Sequence, residues 1–210
     1  MEQAPATEQG RATQRRILAA AAALIGERGV AGTSLDDIRA ATGSSKSQLY
    51  HYFGDKRGLV EAVIDHQSSV VVGTQVEALG AVQDWRDLEC WADGMVALVE
   101  QRGSRGGCPI GTLAAALADT DERFRVALSA AFGSWREAIG GALVRLRDNG
   151  LLAADADLEV LITMMLAAIQ GGLLLAKTSR DSSQLRTTLD GAIAQLHAYA
   201  PRDKRPARRR

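Results

Sequence analysis

Residues 34–53 read SLDDIRAATGSSKSQLYHYF. Leu35, Ile38 and Ala41 recur at helical spacing, and Gly43 ends the run as a residue free to turn left-handed. Thr33 or Ser34 caps the start. Either is followed three residues on by an acid, Asp36 or Asp37, which suits the positive end of a helix. Ser45 opens a second short helix, with Gln48 three residues on at capping-box spacing. That helix covers about Lys46 to Phe53 and breaks at Gly54-Asp55. Leu35, Ile38, Leu49 and Phe53 lock the two helices across the glycine turn. The second helix then presents Lys46, Ser47, Gln48, Tyr50 and His51. A helix of this width fits the DNA major groove, where hydrogen-bonding side chains read base edges.

Outward from this motif, helical patterning continues and no run alternates as a strand does. A first helix covers about Ala12 to Arg28, with Ile17, Leu18, Ala21, Leu24 and Ile25 at helical spacing. Asp55 caps a fourth from Lys56 to about Leu79. Asp84 caps a fifth carrying Leu88, Trp91, Ala92, Met95, Leu98 and Val99. Gln101 to Gly107 is a glycine-rich basic loop, and Pro109 suits the first turn of a short sixth helix. A long seventh begins at Thr120 or Asp121 and ends at Asn149-Gly150. The last two span about 157–178 and 183–199. The expected fold is all-α: an arm over 1–10, a helix-turn-helix domain over 11–55, a helical bundle over 56–200, and a disordered basic tail over 201–210.

The charge is segregated although the net charge is zero. Residues 11–58 hold eight Lys/Arg against four Asp/Glu, the tail 202–210 six against one, and the middle 59–201 eleven against eighteen. A basic front end can meet phosphates while an acidic body stays off them. The start, Met1 to Gly10, has no basic region followed by a long apolar run. The longest apolar stretch, Leu161 to Ile169, is far shorter than the ~20 residues that span a bilayer. Cytoplasmic placement without a membrane is therefore expected, and two cysteines without metal-ligand spacing fit a reducing compartment. No cofactor or metal is expected. His51, His66 and His197 are scattered, and Gly103-Ser104-Arg105-Gly106-Gly107 lacks the lysine-hydroxyl ending of a phosphate loop, which argues against an enzyme.

The stretch SKSQLYHYFGDKRGLVEAVI resembles the recognition helix and following helix of TetR-type repressors, through Ser45, Leu49-Tyr50, His51-Tyr52, Phe53, Lys56 and Leu59. Cys108-Pro109-Ile110-Gly111-Thr112-Leu113-Ala114 and Gln170-Gly171-Gly172-Leu173 resemble the LmrA/YxaF-like branch of that family. Arg39, Thr42 and Ser44 depart from the family pattern and make the motif's interior more polar. The resemblance implies phosphate contacts from Tyr50, Tyr52, Lys56 and from Thr33 or Ser34, with Ser45 starting the recognition helix. It implies base contacts from Lys46, Ser47, Gln48 and His51, although Gln48 can equally cap its own helix. It further implies a homodimer through about 157–178 and 183–199 on palindromic double-stranded operator DNA. A hydrophobic small-molecule effector would occupy a pocket including Trp91, Met95, Cys108, Trp135, Met165 and Gln170. Gln170, on an apolar helix, needs a polar partner if buried.

Two alternatives share the DNA-binding domain. One is a redox-sensing repressor using Cys90 and Cys108, the latter beside Arg102 and Arg105. The other is a regulator that binds DNA without any ligand.

Overall fold

A computed structural model describes residues 7–201. Residues 1–6 of the expected arm and all of the expected tail beyond Pro201 lie outside the described residues. Among the described residues the chain is helical throughout: α1 Glu8–Arg28, α2 Leu35–Thr42, α3 Lys46–Phe53, α4 Lys56–Gly80, α5 Trp85–Gln101, α6 Pro109–Leu117, α7 Glu122–Asp148, α8 Leu158–Ser179 and α9 Ser183–His197. Residues 8–10, expected in the arm, are the first turn of α1. The Thr7 hydroxyl accepts from the Gly10 N–H at 3.1 Å, a cap outside the apolar periodicity that marked the helix.

The chain forms two compact units. One runs to Gly73 and takes in Pro109–Gly133; the other holds Thr74–Cys108 and the chain from Ser134 onward. In the first, Ile17, Ala21 and Ile25 of α1, Ile38 of α2, Leu49 and Phe53 of α3, and Leu59, Val63 and Ile64 of α4 form the core. Arg57 and Asp121 meet at 2.8 Å and Arg123 and Glu61 at 3.4 Å, tying the start of α4 to the start of α7.

In the second unit, Trp135, Ile139, Leu143 and Leu146 of α7 are buried, as are Leu161, Met165 and Ile169 of α8 and Leu185, Leu189 and Leu196 of α9. The Arg145 guanidinium donates to the carbonyls of Val82 (2.9 Å) and Leu79 (2.5 Å), and the Asn149 amide donates to the Gln83 carbonyl (2.9 Å). These bonds satisfy carbonyls at the end of α4 that have no partner within the helix. Gly172 is the contact point of α8 and α9. A Cβ there would lie 2.2 Å from Thr188 Oγ1 and 3.0 Å from Leu185 Cα. Its neighbour Gly171 has nothing within 4 Å.

Candidate nucleic-acid interface

The geometry of α3 follows from reciprocal caps. Ser45 Oγ accepts from the Gln48 N–H at 3.1 Å while Gln48 Oε1 accepts from the Ser45 N–H at 2.9 Å. Gly43 (φ 64°, ψ 15°) supplies the left-handed residue that ends α2, with its N–H on the Arg39 carbonyl at 2.9 Å. The polar departures in the turn are internally satisfied. Thr42 and Ser44 are buried. The Thr42 hydroxyl donates to the Ile38 carbonyl at 2.8 Å, accepts from the Ser44 N–H at 3.3 Å, and lies 3.0 Å from the Ser44 hydroxyl. Arg39 is exposed and pairs with Asp36 at 3.2 Å.

Leu49, Tyr52 and Phe53 form the inner face of α3. Ser45, Lys46, Ser47, Gln48, Tyr50 and His51 are exposed, and so is Lys56 at the start of α4. Lys46 Nζ lies 5.8 Å from the Tyr50 ring centre, and the Ser45 and Ser47 hydroxyls are 2.9 Å apart. Tyr50 keeps 47% of its surface. One short helix thus presents a lysine, two serines, an amide, a phenol and an imidazole. Donors and acceptors of this kind suit base edges and phosphates.

Two expected contact residues are corrected. Thr33 is buried, and its hydroxyl donates to the Gly29 carbonyl at 2.8 Å, so it closes the end of α1 instead of facing a phosphate. Tyr52 is buried on the core side of α3, its ring 6.0 Å from that of Phe53 and 5.3 Å from the His51 ring. Adjacent residues on a helix point about 100° apart, so Tyr50 and Tyr52 do not share a face. Ser34 is exposed and caps α2, with its hydroxyl bonded to the Asp37 carboxylate. Hydrogen bonds from Ser34, with the Arg28 guanidinium nearby, hold the Asp37 carboxyl below the usual carboxylate range.

A cleft of about 620 Å³ opens beside this face. Its walls include Tyr50, His51, Asp55, Glu61, Asp65 and Arg123. Burial raises the Asp65 carboxyl pKa. Nothing in the sequence pattern signalled this cleft, because its residues come from segments distant in the chain.

The expected effector residues all lie in the second unit. Trp91, Met95, Cys108, Trp135 and Met165 are buried and Gln170 is half-buried. The Trp91 indole N–H donates to Gln75 Oε1 at 2.8 Å. Cys90 is exposed, whereas Cys108 is buried. Among the described residues no group of His, Cys, Asp or Glu could hold a metal ion.

An all-helical chain with a capped helix-turn-helix near its start and a separate helical unit is the architecture of a one-component bacterial transcriptional regulator. The model of bacterial regulatory proteins of the tetR family matches residues 17–63, and that of the LmrA/YxaF-like C-terminal domain matches residues 86–190. An uncharacterised HTH-type regulator in the lacX 3' region of Lactococcus lactis subsp. lactis is 32% identical over 86% of this chain and 91% of its own. The HTH-type regulator LmrA of Bacillus subtilis is 26% identical over 82% of this chain and 90% of its own. The crystal structure of a TetR regulatory protein from Rhodobacter sphaeroides superposes with a TM-score of 0.77, covering 88% of this chain and 98% of that one at 21% identity. The chain belongs to the TetR family of transcriptional regulators, with an LmrA/YxaF-like C-terminal domain; it is a regulator and not an enzyme.

Proposed function

We propose that this regulator is a repressor that binds a palindromic operator as a homodimer and leaves it when a mainly apolar small molecule binds the second unit. The observation that carries the proposal is the exposed polar face of α3, held by two reciprocal cap bonds above a buried Leu49, Tyr52 and Phe53. Lys46, Ser47, Gln48 and His51 are the proposed base readers. Ser34, Ser45, Tyr50 and Lys56 are the proposed phosphate contacts.

The dimer is proposed from the outer face of α8. This helix is long and apolar enough by composition to cross a membrane, with a mean hydropathy of 1.9. Its inner residues pack on α9 within the chain, while Val160, Leu174 and Leu175 stay 49–63% exposed. Met164, Ala167 and Gly171 continue the same stripe, and none of these six is charged. A second copy covering α8 and α9 removes that apolar surface from water. It also pairs two recognition helices for half-sites about one helical turn (~34 Å) apart. The effector acts only by preferring a conformer whose recognition helices are out of step with successive grooves. Helix α4, whose residues belong to both units, is the proposed carrier of that change. Cytoplasmic placement, where operator DNA lies, is part of the same proposal. Selection of duplexes from random sequence by the full chain, followed by release screening, tests these points.

A further inference from the structure

Two polar groups of the second unit are buried without a partner. The indole N–H of Trp135 and the amide nitrogen of Gln170 have no hydrogen-bond acceptor among the described residues. Trp135 is only 1% exposed. Native interiors rarely leave such donors unmet. The same unit satisfies its other buried indole, Trp91, through Gln75. Both unmet groups are donors, so both ask for the same thing, an acceptor oxygen.

The two residues belong to consecutive helices, α7 and α8, joined by a short connection and therefore antiparallel neighbours. Gly140 of α7 lies against Ile162 of α8, where a Cβ would come within 3.0 Å of Ile162 Cδ1. Arg136 of α7 donates to Thr163 Oγ1 of α8 at 2.8 Å. Moving away from this contact at about 1.5 Å per residue, Trp135 and Gln170 reach levels within roughly one helical turn of each other.

Charge narrows the ligand. The buried polar residues are Thr33, Thr42, Ser44 and Ser104, and no lysine or arginine is fully buried among the described residues. A buried anion would find no buried cation, so the acceptor must be neutral. Around it, Ile139, Met165 and Ile169 are buried and apolar, and the flexible thioethers of Met164 and Met165 can yield room. We infer that the α7–α8 region of the second unit binds a neutral, mainly apolar molecule through a carbonyl-type oxygen that accepts from Trp135 Nε1–H and the Gln170 amide. This rests on the proposed effector response of the second unit and gives that effector its chemistry.

Matched probes test it. The full-length protein, labelled with nitrogen-15, has three tryptophans and hence three indole resonances, with that of Trp135 assigned through Trp135→Phe. It is titrated with 1-tetralone against tetralin, and with 9-fluorenone against fluorene. Each pair differs by one carbonyl on a similar frame. The expected result is a shift of the Trp135 indole resonance with the ketones alone, and ketone binding up to about tenfold tighter than hydrocarbon binding. Trp135→Phe and Gln170→Leu each reduce that preference. Equal binding within both pairs, or an indole resonance that neither ketone moves, overturns the inference. Measuring operator affinity alongside separates the two claims. Ketone binding as expected with unchanged operator affinity keeps the site and removes the effector role. Release of DNA by another molecule that leaves Trp135 and Gln170 untouched keeps the effector role and removes the site.

Discussion

At the scale of single residues, the recognition face depends on hydroxyl caps. Ser45→Ala removes the acceptor for the Gln48 N–H and costs about 1 kcal/mol of stability. It also frees the Gln48 side chain from its cap, so operator affinity falls with the melting temperature; an unchanged melt would show that the cap contributes nothing. Ser34 and Asp37 give a pH dependence with a defined sign. The folded Asp37 carboxyl sits below its ordinary value, because Ser34 donates to it and Arg28 is close. Its stabilising effect is therefore complete above the unfolded carboxylate value of about 3.9 and is lost as pH falls through the lower folded value. Melting curves of the native chain and Asp37→Asn should differ near neutrality and converge below about pH 4. A gap that stays constant down to pH 3 contradicts this. The buried Thr33 and Tyr52 show where residue-level reading fails. Hydroxyl and phenol both suit a phosphate chemically, but burial is set by neighbours from other helices, such as the Gly29 carbonyl that takes the Thr33 hydroxyl.

Helices as elements make a sharper case. Gly171 and Gly172 are adjacent, yet only Gly172 touches α9. Gly172→Ala drives a Cβ against the Leu185 backbone and costs about 1–3 kcal/mol by overpacking. That outweighs the ~1 kcal/mol that alanine returns in helix propensity. Gly171→Ala meets no atom and leaves folding stability level or higher. Equal thermal shifts for the two variants would refute this account of the α8–α9 contact. The elements themselves were largely legible in the sequence, since caps and glycine stops such as Ser34, Gly43, Ser45, Asp55, Asp84 and Asp157 are local signals. α1 began earlier than its apolar pattern because its first turn is polar and held by Thr7. The exposed set on α3 was legible for the same local reason. The cleft beside Tyr50 was not, because Arg123 and Glu61 meet only through folding. The same holds for the unmet donors at Trp135 and Gln170, since only packing shows which buried groups lack a partner.

For the whole molecule, the account joins a DNA-reading helix near one end of the chain to an apolar helix near the other. Leu174 is 63% exposed, so Leu174→Glu leaves the fold of the chain intact and places a charge in the proposed dimer face. Sedimentation should show the variant at half the native mass, with operator binding weakened at least about tenfold because one half-site is lost. A native chain that already sediments as a monomer, or a variant that stays dimeric, contradicts the proposed interface. The central claim is that Lys46, Ser47, Gln48 and His51 read operator sequence. Selection from random duplexes tests it most directly, run on the native chain beside Lys46→Ala and His51→Ala. The account predicts enrichment of a palindrome by the native chain and relaxed or altered half-sites for the two variants. No enriched duplex from the native chain, or the same palindrome at the same affinity from all three, would contradict it.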